Sequence, residues 1–391
     1  MTEITRIQSF PRKSFFLFGP RGVGKSTLLK QKIKADLYIN LLKSSEFLDY
    51  KQNPDHLFEI VSPLKENSWV VIDEIQRVPE LLNIVHEIYE TKKIHFALSG
   101  SSARKLKRGG ANLLAGRALN VLLYPFCYPE FQNIYSISDA SEWGTLPLVV
   151  MDQDLKKETL ASYVETYLRE ELIQEGIIRK TDSFLRFLKI AGIMNGQTIN
   201  FENISRESHT SRTTVQTYFE ILIDTLIAFY LPSYQPGLKV KEVSKPKFYF
   251  FDSGVARSCA GLLSYTLDSA YHGYLFETFL INQVKSYNDY SKKKLDLFYY
   301  GISGSSEIDL IIETKKRSPE SVANIIAIEF KLGNKWKSEW KKSISILESS
   351  SKLEVTKSYI VYTGIKRLEI SGIVIIDVKD FLTELFEGKI F

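Results

Sequence analysis

Gly19, Gly24, Lys25 and Ser26 stand in the spacing G-x-x-x-x-G-K-S inside GPRGVGKST (19–27). Glycines at those positions let the backbone curl so that its N–H groups face phosphates. The lysine ammonium then reaches the β- and γ-phosphates, and the serine hydroxyl offers an oxygen to magnesium. Pro20, Arg21, Gly22, Val23 and Thr27 complete the same cradle. Further on, SWVVIDEIQ (68–76) is an apolar run ending in two acids. Asp73 is suited to hold the magnesium through water, and Glu74 to polarise the attacking water. Ser99, with Ser101 as the alternative, ends HFALSGSS (95–102) as a polar sensor of the γ-phosphate. A second group lies far down the chain: Glu277, Asp309, Glu329 and Lys331. Two or three carboxylates with a lysine suit metal-dependent phosphodiester cleavage. The acids hold magnesium or manganese, which polarises the phosphate, while the lysine steadies or deprotonates the attacking water.

The elements needed to position these residues can be read from the same sequence. The phosphate loop follows the strand FFLF and opens the helix STLLKQKIK. The helix PELLNIVHEIYE then separates the acidic strand from the sensor strand. After residue 150 the pattern turns helical. An amphipathic helix is predicted over 158–175, then helices in FLRFLKIAGIMNG, FENISRES and TSRTTVQTYFEILIDTLIAFY, and strands in YLPSY and PKFYFFDSG. Three helices and a hairpin make a winged helix. Its third helix starts with His209, Thr210, Ser211, Arg212, Thr213 and Thr214, with Gln216 one turn on, all able to bond phosphates or base edges.

In NIIAIEFK (324–331), Glu329 and Lys331 are two apart and share one face of a strand. If 309–313 and 325–331 form an antiparallel hairpin about a loop near 319, Asp309 lies opposite Glu329. Glu277 would arrive from the amphipathic helix YHGYLFETFLINQVKSY. Without a metal, two facing carboxylates repel and one tends to protonate, so the arrangement makes physical sense as an ion site. KSYIVYTG and GIVIIDVKDFL complete a small α/β sheet.

Composition sets limits on this reading. The chain has 391 residues, 44% hydrophobic and 25% charged, enough for two or three cores. No run approaches a membrane span, and the N-terminus lacks the apolar stretch of a secretory signal. Cys127 and Cys259, in different predicted domains, argue against a disulfide framework and fit a reducing cytoplasm. A net charge of +5 permits a polyanionic partner without requiring one.

With these landmarks, 10–135 resembles the AAA+ ATPases, through GPRGVGKST, VVIDEIQ, ALSGSS, LLAGRA and LYPFCYPEF. The likeness is to the prokaryotic family that couples this module to a domain called DUF4143, and it extends to PKFYFFDSGVA in the middle region. It implies ATP with magnesium, a homo-oligomeric ring such as a hexamer, and an arginine reaching a neighbour's γ-phosphate. Arg117 in LLAGRA is the first candidate and Arg104 the second. The last 120 or so residues resemble the PD-(D/E)xK nucleases, through Glu277, Asp309 in SEIDL and the E-x-K of Glu329–Lys331, with the basic and aromatic GNKWKSEWKKS following. The expected fold class is therefore α/β in three parts: an AAA+ P-loop ATPase over 1–150, a helical and winged-helix part over 151–265, and a nuclease-like α/β part over 266–391. The expected function is ATP-fuelled DNA processing with a metal-dependent endonuclease. Branched DNA such as Holliday junctions is the fold-level analogy. The alternative is a nucleotide-driven switch, or a DNA-remodelling or DNA-binding ATPase, whose nuclease-like tail binds DNA or a partner without cutting.

Overall fold

The computed structural model describes residues 4–101, 116–168, 181–235, 245–302, 306–350 and 352–391. Arg104 and residues 169–175 of the helix expected over 158–175 lie outside the described residues. The fold is mixed α/β, with an all-parallel sheet at its N-terminal end.

That sheet runs β2-β3-β4-β1-β5, built from β1 Phe15–Phe18, β2 Leu37–Asn40, β3 Trp69–Asp73, β4 His95–Gly100 and β5 Leu119–Leu122. All four residues of β1 are buried, as expected of a strand with parallel neighbours on both sides. Helix α1, Lys25–Lys32, leaves the loop after β1, and α2, Leu81–Lys92, joins β3 to β4. The phosphate loop, the end of β3 and the end of β4 therefore meet at the carboxyl edge of one sheet, where open α/β sheets bind ligands.

The middle region carries α3 Thr181–Ile193, α4 Phe201–Glu207 and α5 Arg212–Asp224. Its small sheet has the order β6-β8-β7, with β6 Gln197–Thr198, β7 Ala228–Leu231 and β8 Lys247–Phe250. One expectation needs correcting here. The helix predicted to run through LIAFY stops at Asp224, and Ala228–Leu231 is a strand. Thr225 bonds its hydroxyl back to the Ile221 carbonyl at 2.7 Å, and Leu226 adopts a left-handed backbone with φ 62°. A leucine in that conformation ends a helix.

Helices α6, Ser253–Cys259, and α7, Ser269–Tyr290, lead into a six-stranded mixed sheet of order β13-β14-β12-β11-β10-β9. Its strands are β9 Asp296–Ile302, β10 Ser306–Lys315, β11 Ala323–Lys331, β12 Leu353–Tyr362, β13 Leu368–Ile370 and β14 Ile373–Asp377, with α8, Val378–Phe386, closing the chain. The apolar cores run across the three parts. Phe15 and Leu17 of the first sheet and Leu28 of α1 share one cluster with Phe187, Phe219 and Phe250 of the middle region. Phe131 and Tyr135 join another with Phe279, Ile328 and Phe381.

Gly254 shows how tight these junctions are. A Cβ there would lie 1.9 Å from the carbonyl oxygen of Trp143, which belongs to the helix Ile137–Trp143. Backbone against backbone leaves no rotamer to yield, so Gly254→Ala is expected to destabilise the chain by roughly 3 kcal/mol. Urea unfolding checks this, and an unchanged midpoint would mean that the two helices separate freely.

Candidate nucleotide and carboxylate sites

The phosphate loop is positioned from three sides. Gly19 passes so close to the strand exit that a Cβ would meet the Leu123 carbonyl oxygen at 2.4 Å. Gly24, with φ 92°, caps α1 in a left-handed conformation that a side chain would strain. Lys25 is buried and its ammonium donates to the carbonyls of Gly19 at 2.7 Å and Pro20 at 3.0 Å. Ser26 is half-buried and Thr27 exposed beside it, while Val23 packs into the core. Tyr163 donates its hydroxyl to the Arg21 carbonyl at 3.0 Å, and its ring lies 3.3 Å from a Cβ built on Gly22. Residues just beyond 150 thus roof the loop. Arg6, which sequence reasoning passed over, donates to the Val23 carbonyl at 2.8 Å and pairs with Glu130 at 3.0 Å, so it braces the loop from below.

At the ends of β3 and β4 the polar groups interlock. Asp73 is buried and accepts at both carboxylate oxygens, from Ser99 at one and from the Tyr38 hydroxyl at 2.9 Å at the other. Burial, then the Asp73 charge, pushes the Tyr38 phenol above its ordinary range, keeping it a donor. Glu74 is half-buried with φ 64°, a left-handed backbone uncommon outside glycine. Its N–H donates to Ser99 Oγ at 3.1 Å, and its carboxylate accepts from the Gln76 amide. Ser99 therefore touches both acids, whereas Ser101 accepts from Gln76 at 3.4 Å. Arg117 lies two residues before β5 and pairs with Glu90 of α2.

At the start of α5, His209, Ser211, Arg212 and Thr213 are exposed, with Thr210, Thr214 and Gln216 half-buried. Ser211 caps the helix by accepting from the Thr214 N–H at 3.2 Å. Arg212 pairs with Glu202 of α4 at 2.7 Å.

The carboxylate group converges in space from four elements. In the antiparallel ladder, Leu310 pairs with Ile328, so one step outward Asp309 faces Glu329. Asp309 accepts from the Phe330 N–H at 2.8 Å. Lys331 pairs with Glu329 Oε1, while Glu329 Oε2 is buried with no hydrogen-bond partner among the described residues. Glu277 arrives from the first half of α7 and is itself buried. Two residues were missed by sequence reasoning. Glu307, two before Asp309 on the same face of β10, brings Glu277, Glu307 and Asp309 within 4.8 Å of one another. Lys247 of β8 reaches in from the middle region, 2.9 Å from Glu277 and 3.9 Å from Asp309, and pairs with Glu307. Tyr249, on the same face as Lys247, also donates to Glu277. Burial pushes the Glu277 carboxyl up to about 7 against the pull of Lys247, with Asp309 adding to the rise. Burial, then Asp309, pushes Glu329 above the usual carboxylate range. The converging carboxylate oxygens of Glu277, Glu307 and Asp309 are hard donors that fit magnesium or manganese.

Residues 11–132 match the AAA domain. An AAA-type ATPase domain opens this chain. Such a domain binds ATP, usually with magnesium, and the loop and acids just described lie inside the match. Residues 135–266 match a domain of unknown function, DUF8612, and residues 272–381 match another, DUF4143. The DUF4143 likeness thus falls on the carboxylate-bearing part and not on the middle region where the sequence reading had set it. The chain is 25% identical over 273 residues to an "Uncharacterized protein" of Haemophilus influenzae, covering 62% of this chain and 68% of the relative. It is 22% identical over 412 positions to "Uncharacterized protein MJ1637" of Methanocaldococcus jannaschii, covering 92% and 83%. Among solved structures, the Aeropyrum pernix ORC1 protein in complex with DNA is 12% identical, over 66% of this chain and 87% of that one. Its TM-score is 0.28, and the likeness goes no further than that. Among the described residues, no helix is long and apolar enough to cross a membrane.

Proposed function

We propose that this chain couples its ATPase domain to a metal-dependent DNA endonuclease. The AAA domain remodels or moves DNA, and the carboxylate site nicks it. One observation carries this reading: Glu277, Glu307 and Asp309 bring carboxylate oxygens within 4.8 Å of one another, with Glu329 opposite Asp309 and Lys331 on the same face as Glu329, in the chain that also holds an ATPase domain. A magnesium or manganese ion held there would polarise the scissile phosphate and its water. Asp309 and Glu329 hold the ion with Glu277 assisting, and Lys331 steadies the water. Four-way DNA is the substrate geometry favoured, by fold-level analogy. Exposed polar groups at the start of α5, and the exposed Lys335, Lys337 and Lys342 beyond the carboxylates, supply phosphate contacts. Incubation with linear, flapped and four-way DNA, with and without magnesium and ATP, tests the reading.

A second reading, a nucleotide-driven switch whose tail binds DNA or a partner without cutting, is favoured by one observation: the Lys247 ammonium already lies among the carboxylates. Strand scission in the same incubation separates the two.

Ring assembly forms part of the proposal. Arg117 and Glu90 keep 35% and 49% of their side chains exposed, so releasing that pair costs about 1 kcal/mol or less, and Arg117 can serve a neighbouring subunit. Arg117→Ala is expected to bind ATP and hydrolyse it poorly. Mixing it with an equally inactive Lys25→Ala chain should restore part of the activity, each supplying what the other lacks. Absence of rescue, together with full activity in a dilute monomer, would exclude a shared site.

A further inference from the structure

We infer that Lys247 is the resident cation of the carboxylate site, and that a divalent ion enters only by displacing it from Glu277, Glu307 and Asp309. The inference rests on the metal-site reading above and assigns that site its control. Lys247 is 3% exposed and comes from β8, the central strand of the small sheet in the middle region. Strand alternation turns Phe248 and Phe250 into the core shared with the ATPase part and turns Lys247 and Tyr249 toward Glu277. The ammonium also lies 5.4 Å from the centre of the Tyr299 ring, which closes it off from water. A buried ammonium is tolerated only where charge and hydrogen bonds replace its water, and three carboxylates do so here.

The geometry makes lysine and metal competitors. The ligand atoms of Glu277, Glu307 and Asp309 lie within 4.8 Å of one another, and the Lys247 ammonium contacts all three groups. A dication at that convergence would sit against the ammonium and repel it, so one occupant excludes the other. Glu329 has its own cation in Lys331, so Lys247 is left to the other three acids. Release of the lysine requires β8 to shift against α7, and that junction is specific. The Phe250 N–H donates to Asn195 at 3.0 Å, Asn195 donates to Thr278 at 2.8 Å, and Asn282 donates to the Phe250 carbonyl at 3.1 Å. The far half of α7 is tied to the ATPase part, where the Tyr128 N–H donates to Gln283 at 2.7 Å and the Tyr124 N–H to the Tyr290 hydroxyl at 3.0 Å. The gate therefore stands on the helix that spans from the carboxylates to the ATPase part.

The test is manganese binding to the full chain without nucleotide, read by electron paramagnetic resonance, for the native protein, Lys247→Met and the double variant Lys247→Met/Asp309→Asn. Lys247→Met is expected to bind manganese at least about tenfold more tightly than the native chain, with the gain absent in the double variant. Equal affinity of native and Lys247→Met, both lost on Asp309→Asn, would overturn the gate and leave the metal site standing. No Asp309-dependent binding in any of the three would remove the metal site itself. Should Lys247→Met fail to fold, acetylation footprinting of the native chain decides the question. Lys247 is expected to be protected without manganese and labelled at saturating manganese. Protection that persists with the ion bound overturns the inference.

Discussion

Glu74→Gln will load ATP as the native chain does and hydrolyse it about a hundredfold more slowly or worse. The acid sits on a left-handed backbone, its N–H anchored to Ser99 and its carboxylate aligned by Gln76, so its orientation is set before substrate arrives. An amide keeps the shape and the Gln76 contact but cannot draw a proton from water. Asp73 is different in kind. Both of its oxygens are held, by Ser99 and Tyr38, and it is buried, which suits a group that orders a hydrated ion and not one that takes a proton. Lys25→Ala is expected to lose nucleotide binding outright, because the ammonium anchored on Gly19 and Pro20 is the group placed to meet the β- and γ-phosphates. Nucleotide titration and steady-state hydrolysis separate the two variants. Native turnover by Glu74→Gln would mean that another group polarises the water.

Asp309→Ala will abolish cutting while leaving ATP hydrolysis unchanged. Asp309 and the phosphate loop lie on different sheets, so the ATPase site keeps every contact described for it. Locally the change is large. Asp309 receives the Phe330 N–H, faces Glu329 and forms one corner of the triad with Glu277 and Glu307. Removing it takes away the carboxylate common to the triad and to the pair facing Glu329. DNA affinity should rise, up to about tenfold, since one carboxylate fewer repels the phosphates. Lys331→Ala should slow cutting with less effect on manganese affinity, because an ammonium is not a ligand for that ion. Parallel assays of DNA cleavage, DNA binding and ATPase rate on Asp309→Ala check all of this. A fall in ATPase rate would tie the two sites together.

Legibility in the sequence followed contact range. The phosphate loop could be read because its chemistry is local: glycines, lysine and serine act within a few residues, and the strand and helix that hold them are adjacent in the chain. The facing of Asp309 and Glu329 could be read because a hairpin fixes its partners by arithmetic, and the observed pair Leu310–Ile328 keeps that sum. Glu307 was within reach, since residues two apart on a strand share a face. Lys247 was not. It lies 30 positions before Glu277, on an element of another region, and nothing in KFYF tells which face meets which neighbour. Arg6 was hidden for the same reason, its buried partners Val23 and Glu130 being set by tertiary packing. Helix α5 ended early because propensity over TLIAFY is ambiguous, and the left-handed turn at Leu226 decided it.

Strand scission of end-labelled four-way DNA, by the native chain and Asp309→Ala side by side with manganese and ATP, tests the coupled ATPase–nuclease reading most directly. The native chain is expected to release discrete nicked products that require the metal, and Asp309→Ala none. Intact DNA in both lanes, with manganese bound to neither protein, would contradict it and leave the chain a nucleotide-driven switch.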